Sequence, residues 1–424
     1  MSCFCPSTIE DKNLRYGSTH LKTPQHPMQT PYGHLTYCSN IHPGERWEEH
    51  FQTLQENLPF IRQQLSPNQP FALGLRLAND ASFELSRPES LAAFKIWLAD
   101  NDIYVFTMNG FPYGGFHATR VKDDVHTPDW TTKDRTEYTK RLFRILAQLL
   151  PDGMEGGVST SPLSYRYWWE NHEDTQNAIK TATENILEVA EILMEIRQTT
   201  GKVMHLDIEP EPDGILENGP EFIEWYINYF LPKGIAFLVE KHGISPQEAR
   251  ESLLTHIQLC YDVCHFAVSY EDPQTIVNQL NELGIRVGKI QISSAIKIDL
   301  QENKTEKLKA IQSFDEPVYL HQVVAKTNDG SFEKYPDLSV ALAADTASHT
   351  EWRIHFHVPL FIESYGVLDS TQADIVKTLN VQKSMPFTQH LEVETYTWGV
   401  LPADMQKPIG ESIVRELAWV KAQL

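Results

Sequence analysis

The chain has 424 residues, and its 57 acidic against 36 basic side chains leave a formal net charge of −21. Such a field repels phosphate backbones and anionic lipid surfaces, so it argues against nucleic acid as a partner while identifying none by itself. With 41% hydrophobic and 10% aromatic residues the chain is able to bury a core without staples, and a (β/α)8 barrel reaches this length as one unit when its loops carry insertions.

Five cysteines, an odd number scattered along the chain, read as reduced thiols and not as a disulfide framework. Nothing near Met1 combines a basic start, an apolar run and a small-residue cleavage site, and no stretch approaches the ~18 apolar residues of a membrane span. The expected location is the cytoplasm. Residues 1–30 are polar, rich in Pro, Thr and His, and aperiodic, which predicts a tail; residues 31–424 are expected to form a single barrel domain.

From Gly33 onward short β-rich runs alternate with amphipathic helical stretches, the pattern of parallel strands joined by crossover helices. The strand candidates are Leu35–Ser39, Ala72–Leu77, Tyr104–Met108, Gly157–Thr160, Val203–Glu209, Ile257–Val263, Lys289–Ser293, Arg353–Val358 and Leu391–Tyr396. These are nine runs for eight places: either the run around His355 is an accessory strand or one of the earlier runs is not a barrel strand. Trp47, Phe51, Leu54, Leu58 and Ile61 form one apolar stripe, and a second stripe from Ile179 to Ile196 stops before Gly201. Ser245-Pro246-Gln247-Glu248 is a capping box with a first-turn proline, and Asp272-Pro273 opens the next helix. Asn328-Asp329-Gly330 between two β-rich runs predicts a hairpin inserted within Val318–Leu342.

The chemistry-bearing residues gather at the carboxyl ends of the late strands, where barrel enzymes build their sites. In Met204–Glu211 alternation sets Asp207, Glu209 and Glu211 on one face, with Pro210 ending the strand. Inward carboxylates require either a cation or partner bases. Glu209 is placed as a metal ligand, Asp207 as a deeper structural residue and Glu211 as a loop residue near substrate. In Cys260-Tyr261-Asp262-Val263-Cys264-His265, Asp262 is read as an oxygen ligand with His265 turned into the site where the strand ends. Gln291 points inward one strand later, His355 and His357 form a His-x-His pair, and Glu394 is the outer of two aligned carboxylates, Glu392 being structural. Asn109 to His117 combines three glycines with Phe111, Tyr113 and Phe116, which suits either a loop over the site or a packing turn; with Trp168-Trp169 it offers an aromatic wall.

Ile208-Glu209-Pro210, Asp262-Val263-Cys264-His265, Ile290-Gln291-Ile292 and Val393-Glu394 resemble the ordered Glu, Asp-x-x-His, Gln and Glu motifs of xylose-isomerase-like sugar isomerases and epimerases. Leu35 to Glu45, Asn109 to Phe116, His355-Phe356-His357-Val358-Pro359 and Glu394-Thr395-Tyr396-Thr397-Trp398 resemble the metabolite traffic protein EboE family. The resemblance implies an α/β, (β/α)8 TIM barrel of xylose-isomerase-like type holding a divalent metal on Glu209, Asp262, Gln291 and Glu394, in an operon linked to moving a biosynthetic intermediate. The hairpin and the His-x-His strand depart from the isomerases.

On the isomerase reading, the metal polarises a carbonyl and its neighbouring hydroxyl while Glu209 and Glu394 remove and return the proton. His265, His355, His357, Glu211, His42, Asn109 and His117 are candidates for binding substrate, and oxygen-rich ligation favours manganese or magnesium over zinc. The expected partner is a small polyhydroxylated or partly aromatic metabolite, with contact to export-pathway proteins open. A non-catalytic metabolite carrier is the first rival; metal-dependent phosphoester cleavage is the second, opposed by the negative charge.

Overall fold

In the computed structural model, residues 28–115, 122–399, 401 and 408–424 are described. Residues 1–27, which hold most of the expected tail and Cys3 and Cys5, lie outside them, as do Phe116 and His117. Among the described residues no helix is long and apolar enough to cross a membrane.

Among the described residues fifteen strands form two sheets. They are β1 (Gln29–Thr30), β2 (Gly33–Tyr37), β3 (Phe71–Arg76), β4 (Ile103–Asn109), β5 (Gly156–Thr160), β6 (Met204–Ile208), β7 (Ile257–Asp262), β8 (Val287–Ile292), β9 (Ile296–Asp299), β10 (Val323–Thr327), β11 (Phe332–Tyr335), β12 (His349–Ile354), β13 (Ser364–Tyr365), β14 (Leu368–Ser370) and β15 (His390–Val393). Eight of them, in the order β2-β15-β8-β7-β6-β5-β4-β3, pair in parallel. A parallel bridge between Cys38 and Gly74 joins β2 to β3 and closes the barrel. The fold is therefore a (β/α)8 barrel.

The helices form where the apolar stripes and caps require. Trp47–Leu65 buries Trp47, Leu54, Leu58 and Ile61, and His172–Thr200 ends on Gly201, whose φ of +74° no β-carbon obstructs. Ser245 and Glu248 make the reciprocal capping box at the start of Pro246–His256, and Asp272 caps Pro273–Leu283.

The expected hairpin is present as β10 and β11 around Gly330, but it is one corner of something larger. Strands β11-β10-β12-β9-β14-β13 form an antiparallel sheet inserted between β8 and β15. The run near His355 is thus accessory: β12 ends at Ile354 in this second sheet, and His355 to Pro359 continue without regular structure. The His355 amide donates to the Gln322 carbonyl just before β10, and the Val358 amide donates to the Ser294 carbonyl just after barrel strand β8, both at 2.9 Å.

The barrel interior is polar in layers. Lys289 Nζ lies 2.5 Å from Glu392 Oε2 and also donates to Ser159 Oγ at 3.1 Å, all three residues being fully buried. Asp207 Oδ1 lies 2.6 Å from His205 Nδ1. Glycine makes room for both pairs: a β-carbon on Gly74 would stand 1.9 Å from Glu392 Oε1, and one on Gly288 would stand 1.8 Å from Asp207 Oδ1. Removing one partner of a buried ion pair strands the other, at a cost of about 3–5 kcal/mol. Lys289→Met is expected to lower unfolding free energy by that amount in denaturant titrations, and adding Glu392→Leu is expected to restore most of it. A single variant as stable as wild type would show that the pair contributes nothing to the core.

Candidate functional site

The mouth of the barrel collects side chains that immediately follow strands. Glu209 stands one residue beyond β6, Asp262 ends β7, Gln291 lies near the end of β8 and Glu394 stands one residue beyond β15. All four are buried, and one carboxylate oxygen from each of Glu209, Asp262 and Glu394 lies within 4.8 Å of the others. At that spacing, like charges repel by about 3–4 kcal/mol per pair at an effective dielectric constant near 20. Among the described residues none of the three forms an ion pair with lysine or arginine; Lys289, the nearest such charge in the interior, is paired with Glu392.

Neutral groups orient the carboxylates without cancelling their charge. Asn40 and Asn109 donate to Glu394 Oε1 at 2.6 and 2.9 Å, and Asn109 is itself fixed by the Phe111 amide on its side-chain oxygen. Ser293 Oγ donates to Asp262 Oδ1 at 2.7 Å. The strand ends at Asp262 because that carboxylate caps the helix Val263–Val268, accepting from the His265 amide. The turn brings His265 into the cavity, opposite to where uninterrupted alternation would put it. Burial raises the Glu209 pKa well above the usual carboxylate range, and the charges of Glu394 and Asp262 add to this. Burial and Asp262 push Glu394 to about 8, with the Gln291 amide opposing.

The cavity above this cluster measures about 590 Å³, counting the part open to solvent. Phe111, Tyr319 and Tyr396 supply aromatic wall, with the two tyrosine rings edge to face at 5.3 Å. His265, His355, His357, Glu211 and Asn109 all reach the cavity. His42 is placed elsewhere: it is buried with Nε2 2.8 Å from the Tyr37 hydroxyl and is not among the lining residues. Burial and the neighbouring His265 hold His355 well below the usual imidazole range, and burial takes His357 to about 4.

The start of the glycine-rich loop is a packing turn. Buried Arg135 donates to the carbonyls of Gly110 and Phe111 at 2.7 and 2.8 Å. Trp168 does not line the cavity; its indole donates to Asp123, and its ring stands behind His126. Sequence reasoning missed Asn40, His126 and Gln322. Asn40 follows the first barrel strand and was within reach of the rule that selected Asn109, whereas His126 and Gln322 come from loops with no periodicity to mark them.

No protein-family match was found for the chain, and no curated protein matches it. Solved structures similar to it are xylose-isomerase-like TIM barrel proteins and related enzymes. One is a xylose isomerase-like TIM barrel protein from Mycobacterium smegmatis in complex with magnesium, 9% identical over 92% of this chain and 98% of that one, with a TM-score of 0.45. Another is the IolI protein with a bound zinc atom, at 11% identity, 92% and 96% coverage and a TM-score of 0.44. A third is a probable 3-DHS dehydratase, AsbF, from Bacillus anthracis, at 10% identity, 91% and 98% coverage and a TM-score of 0.43.

In cation-free protein Glu394 keeps its proton to about pH 8, whereas the unfolded carboxyl loses it near its ordinary 4.5. Between those values the native state holds the extra proton, so stability falls as pH rises and levels off above the higher value. Melting temperatures of chelator-treated wild type are expected to drop more steeply than those of Glu394→Gln across this window; parallel curves would contradict the burial of an uncompensated carboxyl there.

Proposed function

We propose that the chain is a metal-dependent enzyme that shifts a proton next to a carbonyl on a small polyhydroxylated or partly aromatic metabolite, in the manner of sugar isomerases and epimerases. The observation that carries this reading is the buried triad Glu209, Asp262 and Glu394, gathered without a lysine or arginine partner among the described residues. The donor set fits a divalent cation: Glu209 Oε2 and Asp262 Oδ2 are buried without hydrogen-bond partners among the described residues, and Gln291 is fully buried one strand from Asp262. Such oxygen-rich ligation suits manganese or magnesium.

A bound cation supplies Lewis acidity to a substrate carbonyl and adjacent hydroxyl. The protein's own residues do the rest. Asn40 and Asn109 hold Glu394 in one orientation, so that this carboxyl and Glu209, arriving from opposite sides, serve as acid and base across the substrate carbon. His357 and Glu211 face the space where substrate hydroxyls would lie, and Phe111, Tyr319 and Tyr396 favour a substrate with an apolar portion. The resemblance of several strings to the EboE family is what suggests a place in the biosynthesis and traffic of a metabolite, with residues 31–424 acting as one cytoplasmic unit and contact with export-pathway proteins.

Elemental analysis of wild type beside a Glu209→Gln, Glu394→Gln double variant tests the ligands: loss of bound manganese or magnesium from the variant is expected. For the chemistry, a panel of ketoses, aldoses and aromatic hydroxy-ketones incubated in D2O is expected to show exchange of a carbon-bound proton with wild type. Each single Glu→Gln variant is expected to be about 10²–10⁴-fold slower. Metabolite binding with no exchange from any member would favour a carrier, and unchanged metal content in the double variant would remove the proposed site.

A further inference from the structure

The histidines around the cavity have tautomers decided by what their Nδ1 atoms meet. A backbone carbonyl only accepts, so His265, with Nδ1 3.0 Å from the Pro210 carbonyl, carries its hydrogen on Nδ1. Gln322 donates its amide nitrogen to the Pro212 carbonyl at 3.1 Å, which turns its oxygen toward His355 Nδ1 at 2.8 Å. His355 is therefore also protonated on Nδ1. His357 follows the same rule, its Nδ1 lying 3.3 Å from the Glu394 carbonyl. Three imidazoles, with ring centroids 4.7 to 5.7 Å apart, thus carry their lone pairs on Nε2.

Two of those lone pairs face each other. His265 Nε2 and His355 Nε2 are 3.1 Å apart, and the tautomers leave no hydrogen to share between them. Opposed acceptors at hydrogen-bond distance are unfavourable unless something positive lies against both. A carboxylate is already at hand: one donor atom from each of Glu211, His265 and His355 lies within 4.8 Å of the others, and His126 Nε2 lies 2.9 Å from Glu211 Oε1.

We propose that His265, His355 and Glu211 form a second metal site, separate from the carboxylate cluster, that takes a transition metal of the zinc type. Two imidazole nitrogens on a tetrahedral zinc stand about 3.3 Å apart, given bonds of about 2.0–2.1 Å. The pair here is close to that separation before any ion enters. Imidazole donors select zinc-like ions, whereas the neighbouring oxygen donors suit harder ones, so the two clusters differ in preference. The Pro210 carbonyl and the Gln322 amide, by holding the Nδ1 hydrogens, fix ring orientation and direct both lone pairs inward. Two of the three ligands follow barrel strands, but His355 comes from the inserted segment after β12, so the site depends on the second sheet.

The test is zinc binding to chelator-stripped protein, read by equilibrium dialysis and elemental analysis. Wild type is expected to hold two equivalents, His355→Ala one, and the Glu209→Gln, Glu394→Gln double variant one, lost on adding His355→Ala. Retention of two equivalents by His355→Ala would overturn the second site, as would a wild type whose only zinc disappears in the double variant. A wild type whose only zinc disappears in His355→Ala and survives in the double variant would uphold this site and sink the carboxylate one. Should His355→Ala fail to fold, zinc-edge X-ray absorption on the wild type decides. Outer-shell scattering from two imidazole rings on one of the ions supports the site, and a purely oxygen shell on both overturns it.

Discussion

Carboxylates taken out of water must be neutralised, and the barrel meets that demand differently at different depths. In the interior Lys289 stands against Glu392, and His205 against Asp207, each pair within 2.6 Å and fully enclosed. One layer further out Glu209, Asp262 and Glu394 converge with no lysine or arginine among the described residues to match them. Strands β6 and β15, each with the residue that follows it, carry a carboxylate in both layers, two residues apart, so what differs is whether a basic partner stands at that level. Burial, together with the charge imbalance at the mouth, is what raises the Glu209 and Glu394 pKa values and marks the candidate metal centre.

The neighbouring groups at the mouth are arranged to preserve that imbalance. Asn40, Asn109 and Ser293 orient the carboxylates through neutral hydrogen bonds, which fix geometry without supplying charge. Arg135, which could have supplied it, is buried and directs Nε and Nη1 to the carbonyls of Pro128, Gly110 and Phe111. It holds the chain that carries Asn109 while leaving the cluster without a counter-charge.

The inserted sheet changes what the barrel mouth holds. Its strand β12 pairs with β9 and β10 and then releases the chain across the opening, where His355 and His357 enter the cavity beside His265. Gln322, from the segment leading into β10, orients His355 and braces the Pro212 carbonyl. A barrel without the insertion would keep the oxygen-rich cluster and lose most of the imidazole. Tyr319 enters with the insertion, and Tyr396 packs against it at the other wall.

By itself the sequence marked nine candidate strands, the helix caps and the four residues expected at the strand ends, because those features are local: a pleat with a period of two, a stripe with a period near 3.6, and a cap within three residues of its helix; which eight strands close the barrel it left open. It also marked the hairpin, since Asn-Asp-Gly between β-rich runs has few other uses. Only the tertiary structure decided that the hairpin belongs to a six-stranded sheet, that His42 turns to Tyr37 and away from the cavity, and that Asn40, His126 and Gln322 join the mouth. These depend on contacts between residues far apart in the chain, such as Asn40 with Glu394 and Gln322 with His355, and no local period encodes them. The position of His265 stands between the two cases: alternation pointed it outward, and the capping of a helix by Asp262 ended the strand early enough to reverse it.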